Sequence, residues 1–406
     1  MNISKLSYRN IIDRPLSSIL SLLLLTLGVG IILTLLHINH HIQNQLENNI
    51  RGIGMVVGAK GSPLQLILSA IYHIDNPTGN IPLEEAEKLT KNPLVAKAIP
   101  LAYGDSYEGY RIVGTDHKYI NLHKASLKSG KLWGSVNEVT IGANVAQNLE
   151  LAIGDEFEGV HGLSKGGESH EGDVYKIVGI LKPSGSVVDQ LILTAVESVW
   201  EVHADEEGDE TEDEHGHSHA SEKHNEHQIT AMLIKFRSPM GMVQMPRIVN
   251  ESTNMQAAVP AYEISRLFTL MGVGLQTLNT LAFVIIAVSG LSVFISLYNA
   301  LKDRKNEMAL MRTYGATRWQ LVRLVVQEGL LLTLSGYLLG IVASRIGLWV
   351  VSGAMEQSYH YSFSHWYWLN DEGWLFLITT AIGLLASLIP ALQAFRINIS
   401  KTLSHV

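Results

Sequence analysis

Residues 302–329, KDRKNEMALMRTYGATRWQLVRLVVQEG, read as a charged helix, a glycine break and a second helix, set between two long apolar runs. Gly315 can take the left-handed backbone that closes a helix, and Thr317 with Gln320 three residues later is a capping box that opens the next one. The product is a two-helix elbow. Lys302, Arg304, Lys305, Arg312, Arg318 and Arg323 crowd into it, and a short basic connection between spanning helices is expected on the cytoplasmic side. Met308, Leu310, Met311 and Tyr314 put apolar side chains on an otherwise charged helix. That pattern suits docking of a soluble partner; the alternative is that these side chains pack on neighbouring helices.

Working outward, 47% hydrophobic and 17% charged residues over 406 positions are too apolar for an ordinary soluble enzyme and too charged for a chain wholly in lipid. Four apolar runs, at 16–36, 275–301, 329–351 and 374–395, approach or exceed the roughly 20 residues that cross a bilayer. The first follows Lys5, Arg9 and Arg14 but is too long for a signal core and lacks a small-residue cleavage site, so it reads as an uncleaved anchor. The loop 352–373 has no lysine or arginine, whereas Arg396 and Lys401 follow the last run. This asymmetry places both termini and the elbow inside the cell and residues 39–271 outside. Trp366, Trp368 and Trp374 fit interfacial anchors. The expected division is a cytoplasmic amphipathic segment 1–15, spanning helices 16–38, 272–301, 329–351 and 374–395, the elbow 302–328, an outer loop 352–373 and an inner tail 396–406.

The external segment alternates helix-like and strand-like pieces. PLEEAEKLTKNP and ANVAQNLEL read as helices; RIVGTD, EVTIG, GDVYKIVGIL and ITAMLIKF read as strands, giving a mixed α/β domain. In GAKGSPLQLILSAIYHID, Ser62 can cap a short helix whose Leu64, Ile67, Leu68 and Ile71 share a face, for core packing or for an apolar cargo. No GxxxxGK precedes a Ser or Thr, so no phosphate-binding loop of that type is present. The chain has no cysteine, and the domain folds without disulfides.

Residues 203–227, HADEEGDETEDEHGHSHASEKHNEH, carry a charge of about minus 9 and make an otherwise nearly neutral chain acidic. Such a segment is a solvated insert. His203, His215, His217, His219, His224 and His227, mixed with carboxylates, are candidate ligands for zinc or a similar divalent ion, or else part of an acidic tether with no specific role. Ionisable groups inside the membrane mark ion routes, and the spans offer almost none beyond Arg345, which argues strongly against a self-contained zinc transporter of the His-loop type. Arg345 is expected to snorkel outward or meet a carboxylate such as Glu356.

The elbow with Glu307, Arg312, Gly315, Ala316, Arg323, Glu328 and Gly329 resembles the FtsX-like permease family of ABC transporters. The external RIVGTDHKYINLHKASLKSGKLWGSVNEVTIGANVAQNLELAIGDEF is similar to the MacB-type periplasmic core. The resemblance implies an α-helical membrane protein with four transmembrane helices, a MacB-type core over 39–271 inserted between helices 1 and 2, and an FtsX-like permease domain over 272–400. It further implies a non-catalytic subunit of the bacterial inner membrane. Such a subunit has no cofactor of its own beyond candidate zinc at the insert, while ATP is used by a separate dimeric ABC ATPase. That ATPase docks on Glu307, Met308, Met311, Arg312, Gly315, Ala316 and Arg318. A second permease chain, identical or related, completes the pair, with membrane lipids and a periplasmic carrier or binding protein as further partners and no nucleic acid. The work implied is ATP-driven motion transmitted to the periplasm, acting on lipoprotein or lipid, peptide or drug, or a metal-linked cargo. The alternatives are an FtsX-like regulator of a periplasmic enzyme and a zinc-responsive sensor.

Overall fold

The computed structural model describes residues 3–13, 15–160, 169–201, 227–359 and 367–397. Two compact units divide the chain, one formed by Met1–Ile42 with Leu270–Val406 and one by Gln43–Thr269. The first carries four helices long and apolar enough to cross a membrane, Pro15–Ile50, Pro260–Asp303, Arg318–Gly353 and Asn370–Phe395. The second is a mixed α/β domain. The fold class is the expected one.

The helices outrun their apolar stretches. Pro15–Ile50 and Pro260–Asp303 are single helices of 36 and 44 residues, hence about 54 and 66 Å long, against a hydrocarbon core of about 30 Å. No glycine pair or proline interrupts the polar continuation HINHHIQNQLENNI, so the helical hydrogen bonds run on beyond the apolar run. At the other end of the sequence Asn370–Phe395 begins inside the stretch expected to be loop, because Glu372 is a helical residue whose carboxylate is turned inward.

Small residues set the packing of the membrane unit. A Cβ on Gly340 would stand 2.6 Å from Val29 Cγ1, and one on Gly383 would stand 2.4 Å from Thr333 Oγ1. These glycines let helix backbones approach where lipid offers no hydrophobic drive. A short helix, Ile3–Ile12, packs on the third spanning helix: Ser7 Oγ donates to the Leu324 carbonyl, 3.4 Å away, and Asn10 bonds to the buried Glu328.

The domain between the first two spans is built on a ten-stranded sheet. Its strands are β1 (Met55–Ala59), β3 (Val95–Tyr107), β4 (Tyr110–Thr115), β5 (Leu127–Gly130), β6 (Glu138–Ile141), β7 (Glu156–Val160), β8 (Ser169–Leu181), β9 (Ile192–Thr194), β11 (Ala231–Phe236) and β12 (Met255–Ala258). The order is β12-β1-β11-β3-β4-β9-β6-β8-β5, with β7 against β3 and β8. A separate pair joins β2 (Ile81–Pro82) to β10 (Gln228–Ile229). Alternation along β1 and β11 buries both faces: Val56 and Leu233 enter one core, Met55, Val57, Met232 and Ile234 the other. The period of two in a strand requires this division.

The helix Pro63–Ala70 is capped by Ser62, whose Oγ accepts from the Gln65 amide. Leu66, Ile67 and Ala70 are buried in the first core. Core packing accounts for these three side chains, while Leu64 and Leu68 are half-buried.

Beside this helix lies a buried aromatic and imidazole cluster. His73 Nε2 bonds to the Tyr119 hydroxyl at 2.9 Å, Tyr119 packs edge-on against His123, and the Arg111 guanidinium sits 4.6 Å from the Tyr103 ring centroid. Burial pushes His123 down to about 4. It also holds His73 well below the ordinary imidazole value, with the charges of Arg111 and His123 adding to the effect. Both rings are neutral when folded and take up a proton near pH 6.5, the ordinary value, when unfolded. Stability of the sheet domain is thus complete above about pH 6.5 and declines as the pH falls toward 4. The urea midpoint of this domain should be lower at pH 4.5 than at pH 7.5, and His123→Phe should shrink that difference. A midpoint independent of pH would show that the imidazoles are not held neutral.

Candidate functional site

The elbow begins where the second spanning helix ends at Asp303, and its first arm is the helix Lys305–Thr313. Tyr314 closes that helix. The Gly315 amide donates to the Arg312 carbonyl at 3.1 Å and the Ala316 amide to the Met311 carbonyl at 3.0 Å, the paired bonds of a Schellman ending. Gly315 sits at φ +97°, in the region that a side chain resists. The next helix opens on the capping box read from the sequence: the Thr317 amide donates to Gln320 Oε1 at 2.9 Å, and the Gln320 amide donates to Thr317 Oγ1 at 3.3 Å. Four otherwise unpaired backbone groups are thereby satisfied within six residues.

The seven expected docking residues do not all face outward. Met308 is 3% exposed and packs with Leu301, Leu321, Leu324 and Ala394 in a core of its own. Met311 is half-buried against the same core. Arg312 turns inward as well, its guanidinium donating to the Ile397 carbonyl at 2.9 Å. Met308 thus packs inward, while Met311 and Arg312 are half-buried beside the end of the final spanning helix. The helical period explains it: positions 308, 311 and 312 lie on the face that meets the final spanning helix. Ala316 is half-buried, and Arg318 is exposed with its guanidinium 5.5 Å from the Phe395 ring centroid.

What faces outward is Glu307, Leu310, Tyr314, Gly315 and Arg318, joined by Trp319. Tyr314 and Trp319 are 87% and 72% exposed. Glu307, Leu310 and Tyr314 stand at i, i+3 and i+7, one stripe of a helix. Trp319 was missed as a site residue, although a tryptophan inside a basic connection was itself a signal.

A second feature joins three spanning helices. Arg345 Nη2 donates to Glu372 Oε1 at 2.8 Å and to the Tyr367 carbonyl at 3.3 Å, while its other nitrogen bonds to His37. The Leu369 amide donates to the same Oε1 at 3.1 Å, and His37 Nε2 approaches it to 3.2 Å. His37 and Glu372 are both fully buried. Arg345 thus meets a carboxylate, but the partner is Glu372, 27 residues on, and the side chain of Glu356 lies outside the described residues. His37 and Glu372 flank the apolar runs in sequence and are buried beside Arg345. The ring of Tyr367 lies 5.3 Å from that of His37, and Glu372 Oε2 is buried with no hydrogen-bond partner among the described residues.

His203, His215, His217, His219 and His224 lie outside the described residues. His227 is exposed, with its ring 4.3 Å from that of Trp200 and its carbonyl accepting from the Leu83 amide. Among the described residues no group of three or more histidines or carboxylates is arranged to hold a metal ion.

Comparison with known proteins gives two family matches, a MacB-like periplasmic core domain over residues 18–239 and an FtsX-like permease C-terminal region over residues 279–399. No curated protein matches the chain. The periplasmic region of MacB from Actinobacillus actinomycetemcomitans is similar at 12% identity and a TM-score of 0.34, covering 55% of this chain and 97% of that one. The extracellular domain of the noncanonic ABC-type transporter YknZ from Gram-positive bacteria is similar at 13% identity and a TM-score of 0.30, covering 50% and 98%. The core-domain match alone takes in more than half of the 406 residues, and the permease match takes in the elbow and the last two spans. The chain belongs to the MacB-like, FtsX-like family of ABC transporter permeases.

Proposed function

We propose that this chain is a force-transmitting permease subunit, in which a separate ABC ATPase grips the elbow from the cytoplasm and two continuous helices carry the motion to the sheet domain in the periplasm. The observation that supports it most is continuity. The 44-residue helix Pro260–Asp303 starts directly after β12 and stops at the elbow, and Pro15–Ile50 ends just before β1. A push on the elbow reaches the sheet domain without passing through a flexible linker. Hydrogen bonds along a helix make it stiff over this length, whereas a loop would absorb the displacement. The Arg345–Glu372–His37 cluster ties three spanning helices together, which agrees with helices that move as braced rods.

The exposed stripe Glu307, Leu310, Tyr314, with the exposed Trp319 after the turn, is the surface for the ATPase, and two copies of this chain or a related pair complete the transporter. The sheet domain then acts on a periplasmic cargo, lipid, lipoprotein, peptide or metal-linked. The same geometry serves regulation of a periplasmic enzyme.

The lack of cysteine makes the orientation directly measurable, because a single introduced thiol is the only one present. Thr313→Cys and Lys128→Cys both place it on exposed residues. In intact cells stripped of their outer membrane, a membrane-impermeant maleimide should label Lys128→Cys and leave Thr313→Cys untouched until the membrane is opened. Labelling of Thr313→Cys from outside would reverse the topology and remove the cytoplasmic motor.

A further inference from the structure

A cleft of about 200 Å3 in the sheet domain is walled by Arg51, Lys97, Lys118, Lys124 and Lys235, and no carboxylate residue lines it. Its residues come from the turn after the first long helix, from β3 and β11, and from the segment around the helix Lys118–Leu122. Lys97 and Lys235 are direct cross-strand partners. Their side chains therefore leave the same face of the sheet side by side, and like charges so placed destabilise a sheet. The next pair along that face is Ile99 with Leu233, both buried, so the surface changes from apolar floor to cationic wall within one step.

Compensation from within the protein is meagre. Lys118 is paired with Asp116 at 2.8 Å. Arg51, Lys97, Lys124 and Lys235 have no carboxylate partner among the described residues. The convergence is also built into the backbone. Gly52, at φ +87°, turns the chain so that Lys235 Nζ lies 4.0 Å from where a Cβ on that glycine would stand, and Lys124 itself holds φ +53°. Holding five cations around a small concavity costs free energy that an anion with several acceptor oxygens returns.

We propose that this cleft binds a phosphate group. Tetrahedral phosphate presents acceptors in several directions at once, which matches ammonium groups arriving from separate elements, and the volume accommodates one such group with a short ester arm. A flat carboxylate engages fewer of them. The phosphate is either that of a soluble phosphate ester or the headgroup of an anionic lipid, and both present the same chemistry to the lysines.

The test uses the full chain in nanodiscs of phosphatidylcholine, titrated calorimetrically with inorganic phosphate at constant ionic strength set by chloride. Wild type should bind phosphate, and Lys97→Gln/Lys235→Gln should bind it at least about tenfold more weakly, as loss of two charge-assisted contacts requires. The double variant removes a like-charge pair from the surface, so it should fold and melt no lower than wild type in chloride alone. Repeating the titration in discs containing phosphatidylglycerol separates the sources. Unchanged affinity assigns a soluble phosphate ester, and phosphate binding blocked in wild type by that lipid assigns the headgroup. Absence of phosphate binding by wild type, or equal binding by the double variant, overturns the proposal.

Discussion

Gly315→Val should abolish stimulation of the partner ATPase while the chain still inserts and melts normally. At φ +97° a β-branched residue is strained by about 1–2 kcal/mol or more, and nothing lies within 4 Å that packing could offer in return. The strain is relieved only by moving the backbone between Tyr314 and Thr317. That movement breaks the paired amide bonds from Gly315 and Ala316 and displaces Tyr314. The damage is confined to the elbow because Met308, Ala309 and Leu321 remain in their own core. Glu307→Lys, on the exposed stripe, should give the same loss by reversing charge at the contact and should leave the backbone unchanged. Copurification of the ATPase and its hydrolysis rate are the readouts. Normal stimulation in both variants would mean that the motor grips another surface.

Arg345→Leu should lower the stability of the membrane unit by about 3–5 kcal/mol, the cost of leaving a buried charge without its partner. Glu372 is fully buried, and Arg345 is its only cationic partner of fixed charge among the described residues. Glu372→Leu alone should be comparably harmful, since Arg345 then faces an apolar helix junction. The double replacement Arg345→Leu/Glu372→Leu should recover much of the loss, because neither charge is stranded. Thermal unfolding in one detergent across the four proteins checks this. If the double variant is as unstable as the sum of the singles, the two side chains are not a coupled pair.

The sequence carried the elbow in detail because its signals are local. A glycine, a threonine and a glutamine within six positions dictate a helix ending and a helix start whatever surrounds them. The same holds for the spans and for strands such as β4, β6 and β11, whose apolar runs have clear edges. β3 was illegible: VAKAIPLAYGDSY contains Pro100 and Gly104 and alternates poorly, and only β11 and β4 on either side make it a strand. The helix Pro239–Ser252 contains Pro246 and two glycine or proline breaks in its pattern, so packing on β12 and β11 had to reveal it.

The burial of elbow residues depended on a segment distant in sequence. That Met308 packs beside Ala394 and that Arg312 bonds to the Ile397 carbonyl follows from residues some eighty positions away. Likewise His37, Arg345 and Glu372 are spread over more than three hundred positions, and no spacing rule joins them. The cationic cleft gathers residues from 51 to 235 in the same way. Local chemistry announces a turn or a cap, whereas charge pairing and charge clustering are properties of the assembled chain.

The account depends on motion at the elbow reaching the sheet domain through continuous helices. Hydrogen exchange of residues 43–269, measured in the complex with the ATPase before and after addition of a nonhydrolysable ATP analogue, tests this most directly. Nucleotide should change protection within β1, β11 and β12 in wild type and leave it unchanged in Gly315→Val. Nucleotide effects confined to the elbow and the spanning helices, or effects on the sheet that survive in Gly315→Val, would contradict transmission of force through these rods.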